Sequence, residues 1–366
     1  MLLIDNDVVT RVLRMPDVVR VLERSYRELG SGDAVCRPRL DLRLPTGRPG
    51  EIYQWGTMDG GSATSGYVAI RMKSDVLREV EYAGTRTQEK HCVEPGLYCG
   101  LVFLLSARTG EPLAIVHDGV LQHQRVGADS AIGVDLAARP DAEVLGLLGS
   151  GGMARSHVEA LLTVRELTRV QVYSPTRAHR ERFAAEVADR HGVEAVAVDE
   201  PRQVFRDADV VSACTDSARE VVLGDWLEPG THVTCIGGRL DSRAREVIDV
   251  WLRLGTAPSP SGHDDWRPTQ EYLAWRARPD DAVWQQHTHA RGYRDHDTGG
   301  ARVVGLEDVL RGAPVRTDPA QVTFSERGNI QGAQFHAVAG LVYERARAEG
   351  LGRELPTEWF LQTVRD

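Results

Sequence analysis

The chain has 366 residues and a formal net charge of −9, with 44 Lys and Arg against 53 Asp and Glu. That length suits two domains, or one large one, around a sizeable core. The acidic balance and scattered arginines argue against a nucleic-acid binder, and no apolar run approaches the ~20 residues of a membrane span.

Residues 1 to about 30 read as helix, because Val19, Val21, Leu22, Tyr26 and Leu29 recur at helical spacing. The stretch MLLIDNDVV places acids where a secretory leader needs a basic start, so a cytoplasmic protein is expected. From Arg37 to Val116 the pattern changes to short strands, RLDLRLP, EIYQWGTM, GYVAIRMK and GLVFLLSARTGEPLAIV, with RTGE as a turn in the last piece. A helix over Val126–Ala138 stops at Arg139-Pro140. From Asp141 strand and helix alternate: VLGLLG, MARSHVEALLTV, VQVYS, RAHRERFAAEVADRHG, then the strands VEAVAV, VVSACT, HVTCIG and VIDVWL. Apolar runs of this length between helices are the mark of buried parallel strands. Residues 256–300 break the rhythm, being rich in Pro, Asp and His, with Trp266, Trp275 and Trp284, and predict an irregular insertion. The helix Phe335–Arg347 and the tail GLGRELPTEWFLQ return to packed character. Cys36, Cys92, Cys99, Cys214 and Cys235 form no CxxC pair and read as reduced thiols.

The run Gly149-Ser150-Gly151-Gly152-Met153-Ala154 fits G-x-G-x-x-A between a strand and a helix. Its first glycine allows a tight turn, its second lets the backbone approach a pyrophosphate, and its small last residue allows close helix packing. Dinucleotide binding follows. At the end of the second strand an acid usually accepts from the ribose 2′-hydroxyl. Here Ser174, Thr176 and Arg177 stand instead. Hydroxyls and a guanidinium suit a 2′-phosphate, so NADP is preferred over NAD.

Taken together, RVGADSAIGVDLAARPDA, GSGGMAR, DADVVSACTDS and LEPGTHVTCIGG resemble the ornithine cyclodeaminase/mu-crystallin family over nearly the whole chain. The resemblance implies an α/β fold in which a Rossmann-type doubly wound parallel sheet is inserted into a second, α+β substrate and dimerisation domain. The boundaries it implies are residues 1–125 plus 325–366 for the latter and 126–324 for the former, and the molecule is expected to be a homodimer. It also implies that basic residues of the first domain hold a substrate carboxylate. Arg39 looks like the first of these, Arg71 aligns with the family lysine, and Arg125 matches the arginine that opens the linking helix. Lys73 lies on the same strand face as Arg71 and offers an alternative ammonium. Thr215 and the loop after Gly237 are expected beside the nicotinamide.

The chain departs from the family pattern where an aspartate follows two glycines. The sequence there is Gly237-Gly238-Arg239-Leu240-Asp241, so Asp241 is the replacement candidate, with Lys73, for moving a proton. This favours an NAD(P)-dependent oxidoreductase acting on a C–N bond of a small amino or imino acid. A cyclodeaminase-like ammonia lyase and a non-catalytic crystallin-like NADP(H) binder stand behind it. His287, His289 and His296 lack the spaced partners of a zinc site, so no metal is expected. His336, in an apolar helix, reads as a core residue rather than a catalyst.

Overall fold

The alternation that begins at Asp141 builds a parallel sheet. The computed structural model describes residues 1–82, 85–217, 219–255, 257, 272–286 and 298–364. Among these, the sheet runs in the order 194–197, 169–173, 144–148, 210–213, 232–235, 323–326, 250–253, 302–305, every neighbouring pair parallel. Leu145, Leu147, Val170, Val172, Val210, Val211 and Val233 are all buried, as strands covered on both faces require. The strand order reverses between Val144–Leu148 and Val210–Ala213. A crevice therefore opens beyond the carboxyl ends of these two strands, where doubly wound sheets hold their ligands.

A second sheet, largely antiparallel, gathers both ends of the chain. Its order is 272–276, 39–45, 51–62, 67–82, 99–106, 112–117, 2–4 and 353–354, with 34–36 and 85–91 pairing on the longer strands. The helices Met15–Ser31 and Gln331–Ala348 pack together, and the latter lies across strands 51–62 and 67–82. The helix Gly119–Ala137 links the two sheets and packs on Gly152–Leu161.

Several expectations are corrected. The first residues are not helical: Leu2–Ile4 is a strand parallel to Ala114–Val116, and the helices Asn6–Val12 and Met15–Ser31 follow. Three residues are too short to show a period, and only the partner strand defines them. The linking helix starts at Gly119, before its apolar pattern becomes regular. The strand expected over GYVAIRMK extends to Tyr82 and pairs with Thr85–His91, whose polar residues hide it from a search for apolar alternation. Tyr272–Arg276, expected to be irregular, is a strand parallel to Arg39–Arg43. Shortly after it Trp284 is buried against Ile52 and Leu77 of the same sheet. Residues 272–286 thus form a strap along the edge of the antiparallel sheet. Trp266, His287, His289 and His296 lie outside the described residues. The tail is not packed, since Trp359, Phe360 and Leu361 are exposed.

Candidate active site

The glycine turn sits at the mouth of the crevice. Gly149 follows strand 144–148 with φ +115°, its N–H bound to the Tyr173 carbonyl at 2.8 Å. A side chain here would be strained and driven into the Cys214 carbonyl. Gly151 caps the helix Gly152–Leu161 in an ordinary extended conformation, and the position of its missing Cβ is open. That open space lies before the unpaired N–H groups of the first helical turn, which suit an anion. Met153 is half-buried against the core, and Ala154 is fully buried, as close helix packing needs. The residues present therefore fit a dinucleotide pyrophosphate.

At the end of the second strand Ser174 is buried and accepts from Ser150 Oγ at 2.9 Å. Thr176 precedes the helix Arg177–His191. Arg177 has a side chain 75% exposed and pairs with Glu181 at 2.6 Å. Arg180 is a second guanidinium that the sequence did not single out. It turns inward, donating to the Ser174 carbonyl at 3.1 Å and to Asp199 at 2.8 Å. On the other side of the crevice, Thr215 and Gly237 touch so closely that a Cβ at Gly237 would strike the Thr215 carbonyl.

Asp241 is positioned differently from expectation. It caps the helix Ser242–Val247, and its Oδ1 accepts from the N–H of Ala244 at 2.6 Å and of Gly224 at 3.0 Å. Two backbone donors on that oxygen make it a helix cap. Arg239 is exposed.

The cationic residues project from the antiparallel sheet and the linking helix. Arg71, Lys73 and Asp75 share one strand face, all buried. Register places Lys73 between Gly56 and Gly100 on the flanking strands. A Cβ at Gly56 would lie 2.6 Å from Asp41 Oδ1 and 3.1 Å from Lys73 Cε, so the glycine makes room for long polar side chains.

The structure divides the expected carboxylate clamp into two groups. In the first, Arg71 donates through Nε to Asp118 Oδ2 at 2.8 Å, bonds the same oxygen through Nη2, and reaches Tyr98 Oη at 3.0 Å. Burial works against this cation, and Asp118 and Tyr98 more than offset it, so the guanidinium stays protonated. Arg125 is also buried; Phe335 lies beneath both guanidiniums, at 5.5 Å from Arg71 and 4.7 Å from Arg125. Arg125 donates to Gln334 Oε1 at 2.6 Å and to Gln122 Oε1 at 2.8 and 3.1 Å. Gln334 in turn donates to Tyr26 Oη at 2.7 Å, and Tyr26 donates to Asp129. Burial, then the nearby charges of Arg327 and Arg71, press the Arg125 pKa below the usual arginine range. Arg327 itself reaches the Ile236 carbonyl, at the strand ends that face the crevice.

In the second group Arg39 makes a two-pronged pair with Asp41, at 2.6 and 2.9 Å. The Gln54 amide, oriented by its donors, accepts from Lys73 Nζ at 2.9 Å and from Arg39. Lys73 also donates to Asp75 Oδ2 at 2.5 Å. Burial, with the Arg39 charge adding to it, holds the Lys73 pKa well below the usual lysine range. Trp284 of the strap covers Ile52 and Leu77 beside this group. His336 is buried against Ser25, between the helices Met15–Ser31 and Gln331–Ala348.

Asp118, Tyr98, Gln334 and Arg327 escape a reading of the sequence. Each takes its meaning from a partner distant in the chain, as in the Asp118–Arg71 and Gln334–Arg125 contacts.

A glycine turn at the switch point of a doubly wound sheet, with buried arginines on a second sheet and on the helix that links the two, defines the class of Rossmann-type α/β proteins with a second domain. Sequence comparison agrees, since residues 76–252 match the profile of the ornithine cyclodeaminase/mu-crystallin family. The chain belongs to that family. It is 32% identical over 255 residues to a putative dehydrogenase of Rhizobium meliloti, covering 69% of this chain and 72% of the relative. Its fold matches Thermococcus litoralis Δ1-pyrroline-2-carboxylate reductase in complex with NADH and L-proline, at a TM-score of 0.73 and 21% identity over 97% of this chain and 100% of the other. An archaeal alanine dehydrogenase dimer with bound NAD gives a TM-score of 0.72 and 20% identity over 97% and 99% of the two chains.

Proposed function

We infer that this protein is an NAD(P)-dependent oxidoreductase that acts on the C–N bond of a small amino or imino acid. The observation that carries the reading is Arg125, a buried guanidinium whose hydrogen-bond acceptors are side-chain amides, within electrostatic reach of Arg327 at the crevice. A buried cation held by neutral groups is stabilised by an arriving anion, and a substrate carboxylate supplies one. When bound, the dinucleotide gives or takes a hydride at the reacting carbon. Gly149, Gly151 and the helix 152–161 hold its pyrophosphate, and Thr215 and Gly237 border the nicotinamide end. Arg125 and Arg71 fix the substrate carboxylate. Lys73, buried and poised to lose its charge, moves the proton, while Arg39 and Gln54 hold it in place. Ammonia-lyase chemistry ranks lower, because the strand-end loop carries Arg239 where the family has an aspartate, and Asp241 spends one carboxylate oxygen as a cap.

The preferred cofactor is NADP. Thr176 and the exposed Arg177 flank the end of the second strand, and the nearby carboxylates Glu181 and Asp199 are each paired with an arginine. The molecule works as a homodimer through the outer face of the antiparallel sheet, where Leu42, Leu44 and Trp275 are 45%, 41% and 54% exposed on neighbouring strands. Apolar side chains massed on one sheet face call for a partner surface. Its five cysteines carry free thiols, which suits the cytoplasm.

The test is a titration with NADPH and NADH followed by nicotinamide fluorescence, then turnover on cyclic and open-chain 2-imino acids. Tighter NADPH binding and stoichiometric NADPH oxidation by an imine are expected. Ammonia release from an amino acid with only catalytic cofactor would replace the oxidoreductase reading by the lyase one.

A further inference from the structure

Asp118 stands at the N-cap position of the linking helix, yet its side chain makes no capping hydrogen bond. It turns instead to Arg71, which occupies Oδ2. Its other oxygen, Oδ1, is buried and has no hydrogen-bond partner. Gly100 gives it room, since a Cβ there would stand 2.5 Å from Oδ2. Arg125, His117 and His123 lie within electrostatic reach of Asp118. The His123 ring is 2.9 Å from where a Cβ on Gly152 would be, so it borders the pyrophosphate turn. Asp118 therefore sits where the carboxylate pocket meets the cofactor crevice.

A buried acceptor left open on a carboxylate beside Arg71 needs a donor, and buried polar groups are rarely left without one. A 2-amino acid or its iminium carries an N–H one carbon away from the carboxylate that Arg71 and Arg125 hold. A 2-oxo acid would instead bring a carbonyl oxygen against the carboxylate. We propose that Asp118 Oδ1 receives the substrate N–H and so selects nitrogen over oxygen at the carbon next to the carboxylate. This rests on the functional reading above. It also explains how reduction proceeds without the strand-end aspartate. Asp118 stabilises the protonated imine, whose carbon accepts the hydride while the C=N π pair becomes the nitrogen lone pair, so that step consumes no further proton.

The experiment compares two inhibitors of one carbon skeleton, a 2-amino acid and its 2-oxo acid, on wild type and Asp118→Asn, with NADPH affinity measured in parallel. Asparagine keeps an oxygen for Arg71. The variant is expected to bind the amino acid about 100-fold more weakly, the range of a charged hydrogen bond, with oxo-acid and NADPH affinities within about threefold of wild type on the same scale. Asp118→Glu should restore part of the loss. In the unmodified protein the amino acid should outcompete the oxo acid at least tenfold, about the least such a bond contributes, which serves if either variant fails to fold. Equal loss of both acids would reduce Asp118 to an anchor for Arg71 and overturn the proposal. So would an amine-specific loss in Asp75→Asn, the neighbouring carboxylate with an open oxygen, instead of in Asp118→Asn. Wild-type protein that binds NADPH but neither acid would overturn the functional reading, and the proposal with it.

Discussion

Arg125 is held by Gln122, Gln334 and the Phe335 ring, none of which carries a negative charge. Replacing it by Gln removes a charge-assisted contact worth about 1.5–3 kcal/mol. The expected result is a fall in kcat/KM of about 10- to 150-fold, with NADPH affinity unchanged and no loss of thermal stability, because a costly buried cation has gone. Steady-state kinetics, nicotinamide fluorescence and a melting curve check the three parts. Gly149 and Gly151 separate in the same way. Gly149→Ala forces a side chain into a left-handed backbone and the Cys214 carbonyl, and should cost about 1–3 kcal/mol of stability. Gly151→Ala meets open space in the protein and should leave the melting temperature alone, while its methyl blocks the pyrophosphate and weakens NADPH binding at least about tenfold. The alternation R-M-K makes Arg71 and Lys73 legible in the sequence as neighbours on one face, while Asp75 gains its meaning only from its bond to Lys73. Asp118 is not legible, since an aspartate before a helix reads as a cap and only the folded chain diverts it to Arg71. Asp241 is the converse case, a residue promoted by its place in a motif that the fold uses as a cap.

Among the elements, strand 232–235 and helix 152–161 each bury a histidine. His232 bonds Thr323 at 2.8 Å and Ser325 at 3.1 Å across the sheet, and His157 bonds Ser130 at 3.0 Å and Met153 O at 2.7 Å. Burial holds them at about 3 and about 4, down from 6.5. Unfolded chains bind these protons near pH 6.5 and the native fold does not. Their stabilisation is complete above that value and is lost as pH falls toward the folded values, at up to about 1.4 kcal/mol per pH unit for each histidine. Urea unfolding through this window should show the decline, and His232→Gln should flatten it. The strap makes a separate prediction. Trp284→Ala removes the side chain that seals Ile52 and Leu77 beside Lys73 and Asp75, so KM for substrate should change and NADPH affinity should not. Loss of both together would mean that the strap supports the whole fold. Sequence periodicity announced six of the parallel strands, but not Arg302–Gly305 or Thr323–Glu326, the latter carrying Thr, Ser and Glu. It could not announce the strap strand, which is defined by the edge of strand 39–45 that it joins.

For the whole molecule, the outer face of the antiparallel sheet predicts assembly. Light scattering should give a dimer for the wild type, and Leu42→Glu with Leu44→Glu should give a monomer. A monomeric wild type would remove the interface. The fold class was legible because a strand, a glycine turn and a helix in that order leave few arrangements. The family resemblance implied that residues 1–125 and 325–366 share a domain, but the strand pairing that joins them was not legible, since Leu2–Ile4 pairs with Ala114–Val116 and with Arg353–Glu354 through backbone groups that carry no sequence signal. The placing of Thr323–Glu326 between His232–Cys235 and Val250–Arg253 has a bearing on biogenesis. During synthesis the strands from Val144 to Cys235 can settle as soon as they leave the ribosome, whereas the later pair, 250–253 with 302–305, has no place to dock until the segment near residue 323 emerges. The nascent chain thus acquires its nucleotide-holding half first and closes the edge of that sheet nearly last, which makes the interval between the two the period in which a helper protein would have most to protect.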